Sequence, residues 1–198
     1  RALRDMPSDI EAARANTELL QVIFDSFVGG IIVYDGQGKI QLLNPMAAEF
    51  FGISATDAIG HELLDYGWQF YDRDGLPAGG ELDPVTHVLQ ERGAVVNLTQ
   101  GVSRSGQRAS AWMLVNIRPL FNSAGDIARM VMSFNDITSM KNAEDELMLA
   151  AEVFETAAEG IVIADADGRI VNVNRAFTEI TGYHLDEVKG EKPDILQP

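Results

Sequence analysis

Two segments of the chain carry mostly apolar residues at alternating spacings of three and four, a pattern typical of a coiled-coil seam. The first seam, within residues 8–27, is Ile10, Ala13, Thr17, Leu20, Phe24 and Phe27. The second seam, within residues 138–158, is Met140, Ala143, Leu147, Ala150, Phe154 and Ala157. Each spans about three heptads. We interpret both segments as helices that pair in a dimer, in preference to amphipathic helices that lie on their own domain.

Between these helices, the pattern of apolar and polar residues predicts five strands. A hairpin is predicted around residues 35–38, and three longer strands follow, AVVNLTQGVS, RASAWMLVNIRPLF and IARMVMSFNDI. Short helices are predicted after Asn44-Pro45 and after Asp83-Pro84, because each pair is a capping residue followed by proline. This order predicts an α+β fold, in which short helices cover one face of an antiparallel sheet.

The second and third long strands each present a continuous apolar face, which must cover a core. Trp68, Phe70 and Tyr71, in the aromatic segment 61–80, are expected to close one end of it. The candidate lining of a ligand pocket is Trp68, Phe70, Tyr71, Met113, Val115, Ile117, Met130, Met132 and Phe134. Methionine and aromatic residues more often simply fill a core, so we favour a packed core over a ligand cavity. The opposite, half-polar face around Trp112 is expected to lie under the N-terminal helix.

Residues 159–190 repeat residues 29–60 at an offset of 130 without a gap. Turn glycines, apolar strand positions and the pair Asn44 and Asn174 all coincide, which is a strong repeat signal. We therefore predict four parts: an N-terminal amphipathic helix (1–28), a complete domain (29–137), a connecting helix (138–158) and the start of a second, truncated domain (159–198).

Several motifs of this chain resemble those of the PAS domain family. Residues 35–44 read D-x-x-G-x-I-x-x-x-N, a short helix ends in Phe-Gly at 51–52, and the last strand closes with Asp-Ile-Thr at 136–138. The resemblance covers residues 22–137 completely and 152–198 partly. It implies a PAS-like five-stranded antiparallel sheet with a cradle of small helices. It also implies a sensory and dimerising module of the kind that is chained in bacterial signalling proteins.

The resemblance also implies that in such proteins the Asp-Ile-Thr ending marks the point where the domain continues into a signal-carrying helix. We expect Asp136 or Thr138 to accept a hydrogen bond from an amide of the first helical turn, because that turn has unpaired donors. We also expect Asp136 to pair with Arg118 on the neighbouring strand. Such a joint would couple the sheet to helix 138–158. The alternative of a plain helix cap without a signalling role stays open.

Composition narrows the possible partners and chemistry. Fifteen basic against 30 acidic residues leave a formal net charge of −15, which argues against nucleic acid and anionic membrane as partners. Cysteine is absent, which excludes disulfides, zinc–thiolate sites and cysteine nucleophiles. No apolar run approaches the length of a membrane span. We expect a cytoplasmic location, although the parent protein is free to carry an anchor upstream.

For cofactors, the expectations follow from the family resemblance. Light-sensing members attach their chromophore through a cysteine, which this chain lacks. Haem-binding members hold iron through a histidine on the helix before the third strand; His87 lies about one turn too near the end of that helix, and the matching position is near Asp83. Members that bind flavin without a covalent bond use a tryptophan late on that helix, where residues 88–92 contain none. We expect neither haem, flavin nor metal, and a small organic ligand of unknown identity stays open.

The sequence therefore predicts a sensory and dimerisation module that passes conformational change through helix 138–158 to a downstream output domain. The alternative is a protein-interaction scaffold without ligand sensing. An enzyme is not expected in this fragment, because neither a glycine-rich phosphate loop nor a catalytic triad pattern is present. By family habit, the parent protein would end in a cyclic-di-GMP synthase or phosphodiesterase, or in a histidine kinase. The sequence of this chain does not distinguish between these output domains.

Overall fold

The computed structural model describes residues 6–77, 83–104 and 109–196. The chain divides between Thr138 and Ser139 into two compact units, which are described separately below as the first and second units. The elements of the first unit are α1 (Met6–Ser26), β1 (Gly30–Asp35), β2 (Ile40–Leu43), α2 (Pro45–Phe51), α3 (Ala55–Ala58), a 3₁₀ helix (Leu63–Tyr66), β3 (Gln69–Tyr71), α4 (Pro84–Glu91), β4 (Val95–Ser103), β5 (Ala111–Phe121) and β6 (Ile127–Asp136).

The strands of the first unit form one antiparallel sheet in the order β2-β1-β6-β5-β4-β3. The α+β prediction is confirmed, but the sheet has six strands instead of five. The additional strand, β3, pairs with the end of β4 from Gln69 opposite Ser103 to Tyr71 opposite Gly101. A strand of three residues is too short to show an alternation of apolar and polar positions, so the sequence pattern did not predict it.

One face of this sheet and the short helices enclose a single core. Alternation along β5 and β6 turns Met113, Val115 and Ile117, with Met130 and Met132, into this core, where all five are fully buried. The predicted cap residues close the N-termini of the covering helices. The Asn44 side chain accepts from the Ala47 amide at the start of α2, and the Asp83 carboxylate accepts from the amides of Val85 and Thr86 at the start of α4.

The expectation that the N-terminal helix covers the half-polar face of the sheet is wrong. The side chains of α1 from Glu11 to Ile23 are exposed, and Phe24 is half-buried. The described contacts between α1 and the rest of the unit are at its C-terminal end, where the Phe24 carbonyl accepts a hydrogen bond from Asn44. An amphipathic pattern shows that a helix has an apolar side, but it does not specify which surface covers that side.

The second unit repeats the beginning of the first. Its elements are α5 (Thr138–Thr156, whose first residue ends the first unit), β7 (Val162–Ala164), β8 (Ile170–Val173), α6 (Arg175–Thr181), α7 (Leu185–Val188) and a 3₁₀ helix (Pro193–Leu196). Val162 pairs with Val173 as Ile32 pairs with Leu43, and the register irregularity falls at the same place in both hairpins. The offset of 130 therefore holds for strand register as well as for sequence.

Candidate functional site

The nine predicted pocket residues are all buried. Eight of them belong to the core cluster, and Tyr71 does not. Tyr71 is fully buried but points away from that cluster, because adjacent residues of a strand face opposite sides and Phe70 takes the core side. Aromatic rings pack edge to face at the centre of the cluster, with the Phe51 ring 5.2 Å from Trp68 and 5.4 Å from Phe134.

A cavity between described residues lies beside these side chains. It has a volume of about 100 Å³ and opens between the β1–β2 hairpin, the first 3₁₀ helix and α4. We call it the Tyr34 cavity. Its lining residues are Tyr34, Gln37, Gly38, Glu62, Leu63, Leu64, Asp83, Val85, Thr86 and Leu89. None of the nine pocket residues predicted from the sequence lines it.

Tyr34 has the most buried polar side chain in the lining of the Tyr34 cavity. Its side chain is 1% exposed, and its hydroxyl group makes one weak hydrogen bond, to Met132 Sδ at 3.5 Å. Burial raises the pKa of Tyr34 well above its usual value, and the Asp83 carboxylate raises that pKa further. Tyr34 was not among the residues predicted from the sequence. The signal that could have identified it is its position two residues after Ile32 on the inward side of β1, where an apolar side chain would be ordinary.

Asp83 caps α4, as its sequence context predicts, and it also forms part of the Tyr34 cavity. It is 8% exposed and lines the Tyr34 cavity. One carboxylate oxygen accepts from the Thr86 amide at 3.0 Å and from the Thr86 hydroxyl at 2.7 Å, and the other accepts weakly from the Val85 amide at 3.4 Å. The second oxygen therefore keeps acceptor capacity.

His87 does not fit the role of a haem ligand. Its side chain on α4 is exposed, whereas Val85 and Val88 of the same helix face the core. A ligand to an iron in the core would have to lie on that buried side. In the described part of the chain, no three His, Cys, Asp or Glu side chains lie close enough together to hold a metal ion. The expectation that the chain carries neither haem nor flavin stays a prediction.

The joint between the sheet and α5 is a compact set of hydrogen bonds. Asp136 Oδ1 accepts from both the backbone nitrogen of Thr138, at 2.8 Å, and its hydroxyl group, and the Thr138 hydroxyl in turn accepts from the Trp112 amide at 2.9 Å. The Ile137 amide donates to the Trp112 carbonyl at 2.9 Å. The expected bond from an amide at the start of the helix is therefore present, and it ends on Asp136.

The expected pairing of Asp136 with Arg118 is wrong. In the register of β5 and β6, Asp136 lies opposite Met113, and Arg118 lies opposite Val131. Five residues along a strand correspond to about 17 Å, which is beyond the reach of an ion pair. Arg118 is exposed. The spacing of the motif did not reveal this distance, because strand register was not specified by the sequence pattern.

Asn44 and Asn174 also do more than the predicted capping. Asn44 Oδ1 accepts from the amides of Ile31 and Ala47, and its amide nitrogen donates to the carbonyls of Phe24 and Gly29. Asn174 makes the same four bonds at an offset of 130. Each side chain thus ties the end of the preceding helix to the hairpin and to the following short helix.

The two seams lie mostly in contact with solvent. Leu20 is 66% exposed, and Met140 and Leu147 are 62% and 73% exposed. Phe24 and Phe154, whose carbonyls accept from Asn44 and Asn174, are half-buried. The side chain of Ile10 lies outside the described part of the structure. Across the described residues, none of the helices combines the length and the apolar character that crossing a membrane requires.

Comparisons with known proteins agree with this architecture. A sequence model described as PAS fold matches residues 24–142, and a second one, described as PAS domain, matches residues 149–198. The first match alone covers more than half of the chain. The chain therefore belongs to the PAS family.

Curated relatives include bacterial sensor proteins. The chain is 22% identical over 174 residues to the oxygen sensor protein DosP of Escherichia coli, with 84% of this chain and 20% of that protein covered. It is 25% identical over 177 residues to the signal transduction histidine-protein kinase AtoS of the same organism, with 87% and 26% covered. The chain thus spans about a fifth to a quarter of these relatives, and it is homologous to part of each.

Among solved structures, an RNA-binding light-oxygen-voltage receptor superposes with a TM-score of 0.50 at 16% sequence identity. The superposition covers 69% of this chain and 38% of the receptor. At this identity the likeness shows the fold alone.

Proposed function

We propose that this chain is a sensory and dimerisation module of a bacterial signalling protein, and that conformational change leaves it through α5 towards an output domain. Membership of the PAS family and homology to parts of bacterial sensor proteins support the sensory role. The four-part organisation belongs to this proposal: an entering helix (1–28), a sensor (29–137), a coupling helix (138–158) and the beginning of a second sensor (159–198).

The proposed dimer is supported chiefly by the exposed seams of α1 and α5. Within the second seam, Met140 and Leu147 lie on one side of α5 with more than 60% of each side chain exposed. Apolar stripes of this kind are unusual on a monomer surface. A second copy of the chain supplies an identical stripe, so that both are covered when the helices pair. The same pattern at an offset of 130 in α1 supports the same partner there.

Replacing Leu147 with Asp tests this dimer. Light scattering of the unmodified chain should give twice the monomer mass of 21.6 kDa. Leu147→Asp should shift the mass towards one monomer, because each buried leucine contributes about 1.5–3 kcal/mol to association. Leu149→Asp is the matched control, since Leu149 lies two residues away on another side of α5 and is 61% exposed.

Both variants should keep the circular-dichroism spectrum of the folded chain. A monomeric mass for the unmodified chain at tens of micromolar would contradict the dimer. Equal losses of mass in both variants would show that association does not run through the second seam.

For the output domain, a histidine kinase is the better supported alternative. AtoS is a signal transduction histidine-protein kinase, and its similarity extends over most of this chain. A scaffold without ligand sensing remains the competing function for the module, and a thermal-shift screen with metabolites separates the two, because a ligand that binds the folded state raises its melting temperature.

A further inference from the structure

We propose that the Tyr34 cavity binds a small organic ammonium ion, with the Asp83 carboxylate as its counter-charge. This inference names a ligand class for the sensory role proposed above and rests on that role. It is drawn from the residues that line the cavity, whereas the nine core residues singled out in the sequence do not line it.

The size of the Tyr34 cavity limits the ligand to a few atoms. A dry cavity of about 150 Å³ holds benzene, which has six non-hydrogen atoms. By that measure, the volume of about 100 Å³ suits a ligand of about four. Leu63 and Val85 are buried in the wall, and Gln37, Glu62 and Leu64 are exposed at the rim. The ligand therefore needs a short apolar part and one polar end.

The charged residues of the lining indicate that the polar end of the ligand carries a positive charge. Two of the ten lining residues, Glu62 and Asp83, are acidic, and none of the ten is basic. Asp83 is buried and keeps acceptor capacity on the oxygen that bonds weakly to Val85. A buried carboxylate favours a cation beside it and repels an anion. An anionic ligand, such as a carboxylic acid, is therefore disfavoured here.

Tyr34 provides a second acceptor in the same cavity. Within the described part of the chain, its hydroxyl oxygen accepts no hydrogen bond, and its proton makes only the weak contact with Met132 Sδ. The hydroxyl oxygen therefore keeps lone pairs that are able to accept from a donor in the cavity. An ammonium group has several N–H donors, so it is able to donate to Asp83 and to Tyr34 at once. A metal ion fits less well, because the described residues bring no three ligating side chains together.

The test compares three ligands of nearly equal shape on the full chain: propylammonium chloride, 1-propanol and sodium propionate. Titrations are followed by backbone amide chemical shifts, at ionic strength matched with sodium chloride. Propylammonium should bind in the millimolar range, because four non-hydrogen atoms allow little affinity. The shifted amides should be those of the lining, such as Gly38 and Thr86. The other two ligands should bind at least about tenfold more weakly, since they lack the charge-assisted bond.

Asp83→Asn is the decisive variant, because asparagine caps a helix as well as aspartate does and removes only the charge. It should weaken propylammonium binding about tenfold. Tyr34→Phe should weaken it to a smaller extent. Asp126→Asn, at an exposed turn outside the lining, is the control and should leave binding unchanged.

Absence of saturable shifts, equal binding of 1-propanol, or unchanged binding in Asp83→Asn would each overturn the inference. Dimer mass is measured on the same samples without ligand. Failure of the ammonium site with an intact dimer is therefore distinct from failure of the proposed module.

Discussion

Asp136 joins two elements with a single carboxylate oxygen, which accepts from the backbone and from the hydroxyl group of Thr138. Through the Thr138 hydroxyl, the same set of bonds reaches the Trp112 amide on β5. A plain helix cap would end at the first of these bonds. The additional bond to β5 is the physical reason to expect that a shift in the sheet changes the start of α5.

Replacing Asp136 with Ala should lower the free energy of unfolding by about 1 kcal/mol, the usual cost of a lost cap. In the full-length parent it should also change output activity, because Thr138 loses the acceptor that orients its hydroxyl group. Asp136→Asn keeps an acceptor oxygen and is the matched control. Urea denaturation and an output assay check the two effects. A loss of stability with unchanged output would show that Asp136 is only a cap.

Tyr34 should make the stability of the chain fall at alkaline pH. Its pKa is raised in the folded state, mainly by burial and also by Asp83. Above a pH of about 10 the unfolded chain releases the tyrosine proton while the folded chain retains it. The stability contributed by the neutral hydroxyl is therefore complete below that pH and is lost as pH rises further, by up to about 1.4 kcal/mol per pH unit.

Denaturation at pH 9, 10 and 11 checks this expectation. Tyr34→Phe should lose less stability over this range than the unmodified chain, because phenylalanine has no proton to release. Tyr183→Phe, at a side chain that is 38% exposed, should behave like the unmodified chain. Parallel curves for all three proteins would rule out a special role of Tyr34 in the alkaline response.

At the scale of single residues, the sequence allowed the capping roles of Asn44 and Asp83 to be predicted, because N-cap chemistry is local. The distance between Asp136 and Arg118 and the contact between Tyr34 and Met132 were harder to predict. Both depend on strand register and on side-chain direction across the sheet, and these are set by contacts between residues that are far apart in the sequence.

At the scale of elements, β7 and β1 occupy equivalent positions but have different neighbours. Strand β1 pairs with β2 on one side and with β6 on the other, whereas β7, among the strands that the structure describes, pairs with β8 alone in a two-stranded sheet. An isolated two-stranded hairpin is marginal in water. Part of the second hairpin is also open to solvent, since Ile163 is 46% exposed.

Hydrogen exchange should therefore be fast in residues 161–165 and slow in residues 31–35. The two segments are matched by the offset of 130, so the first hairpin is an internal control for the second. Mass-spectrometric exchange on a dilute sample gives the comparison. Equally slow exchange in both segments of a monomeric sample would contradict it. Gly30→Ala is unsuited as a probe of this difference, since a Cβ there would clash with the Phe134 ring.

The elements themselves were largely predictable, because hairpins, capped helices and alternating strands leave periodic patterns. Strand β3 was missed, since three residues show no period. The order of strands in the sheet was not predictable from those patterns, which describe each strand without its neighbours. The wrong pairing of Asp136 with Arg118 has the same origin.

At the scale of the whole chain, the internal repeat carried the most information. It predicted that residues 159–190 repeat the first hairpin, and in the structure the second hairpin also has the register of the first, down to the irregularity in the pairing. The surface on which α1 packs was not predictable, because its apolar side could pack equally well on its own sheet or on a second copy of the chain. Since the side chains of α1 are exposed in the structure, we propose that α1 packs on a second copy.

The four bonds of Asn44 have a consequence for which substitutions the chain tolerates. An amide side chain has two N–H donors and two acceptor lone pairs, and Asn44 uses all of them. Aspartate has no donor, serine is too short to reach four partners, and glutamine moves the amide by one carbon. We therefore expect these substitutions to be selected against at position 44, and the identical network extends the expectation to Asn174. The two asparagines at a spacing of 130 should be among the positions of this sequence that change least in evolution.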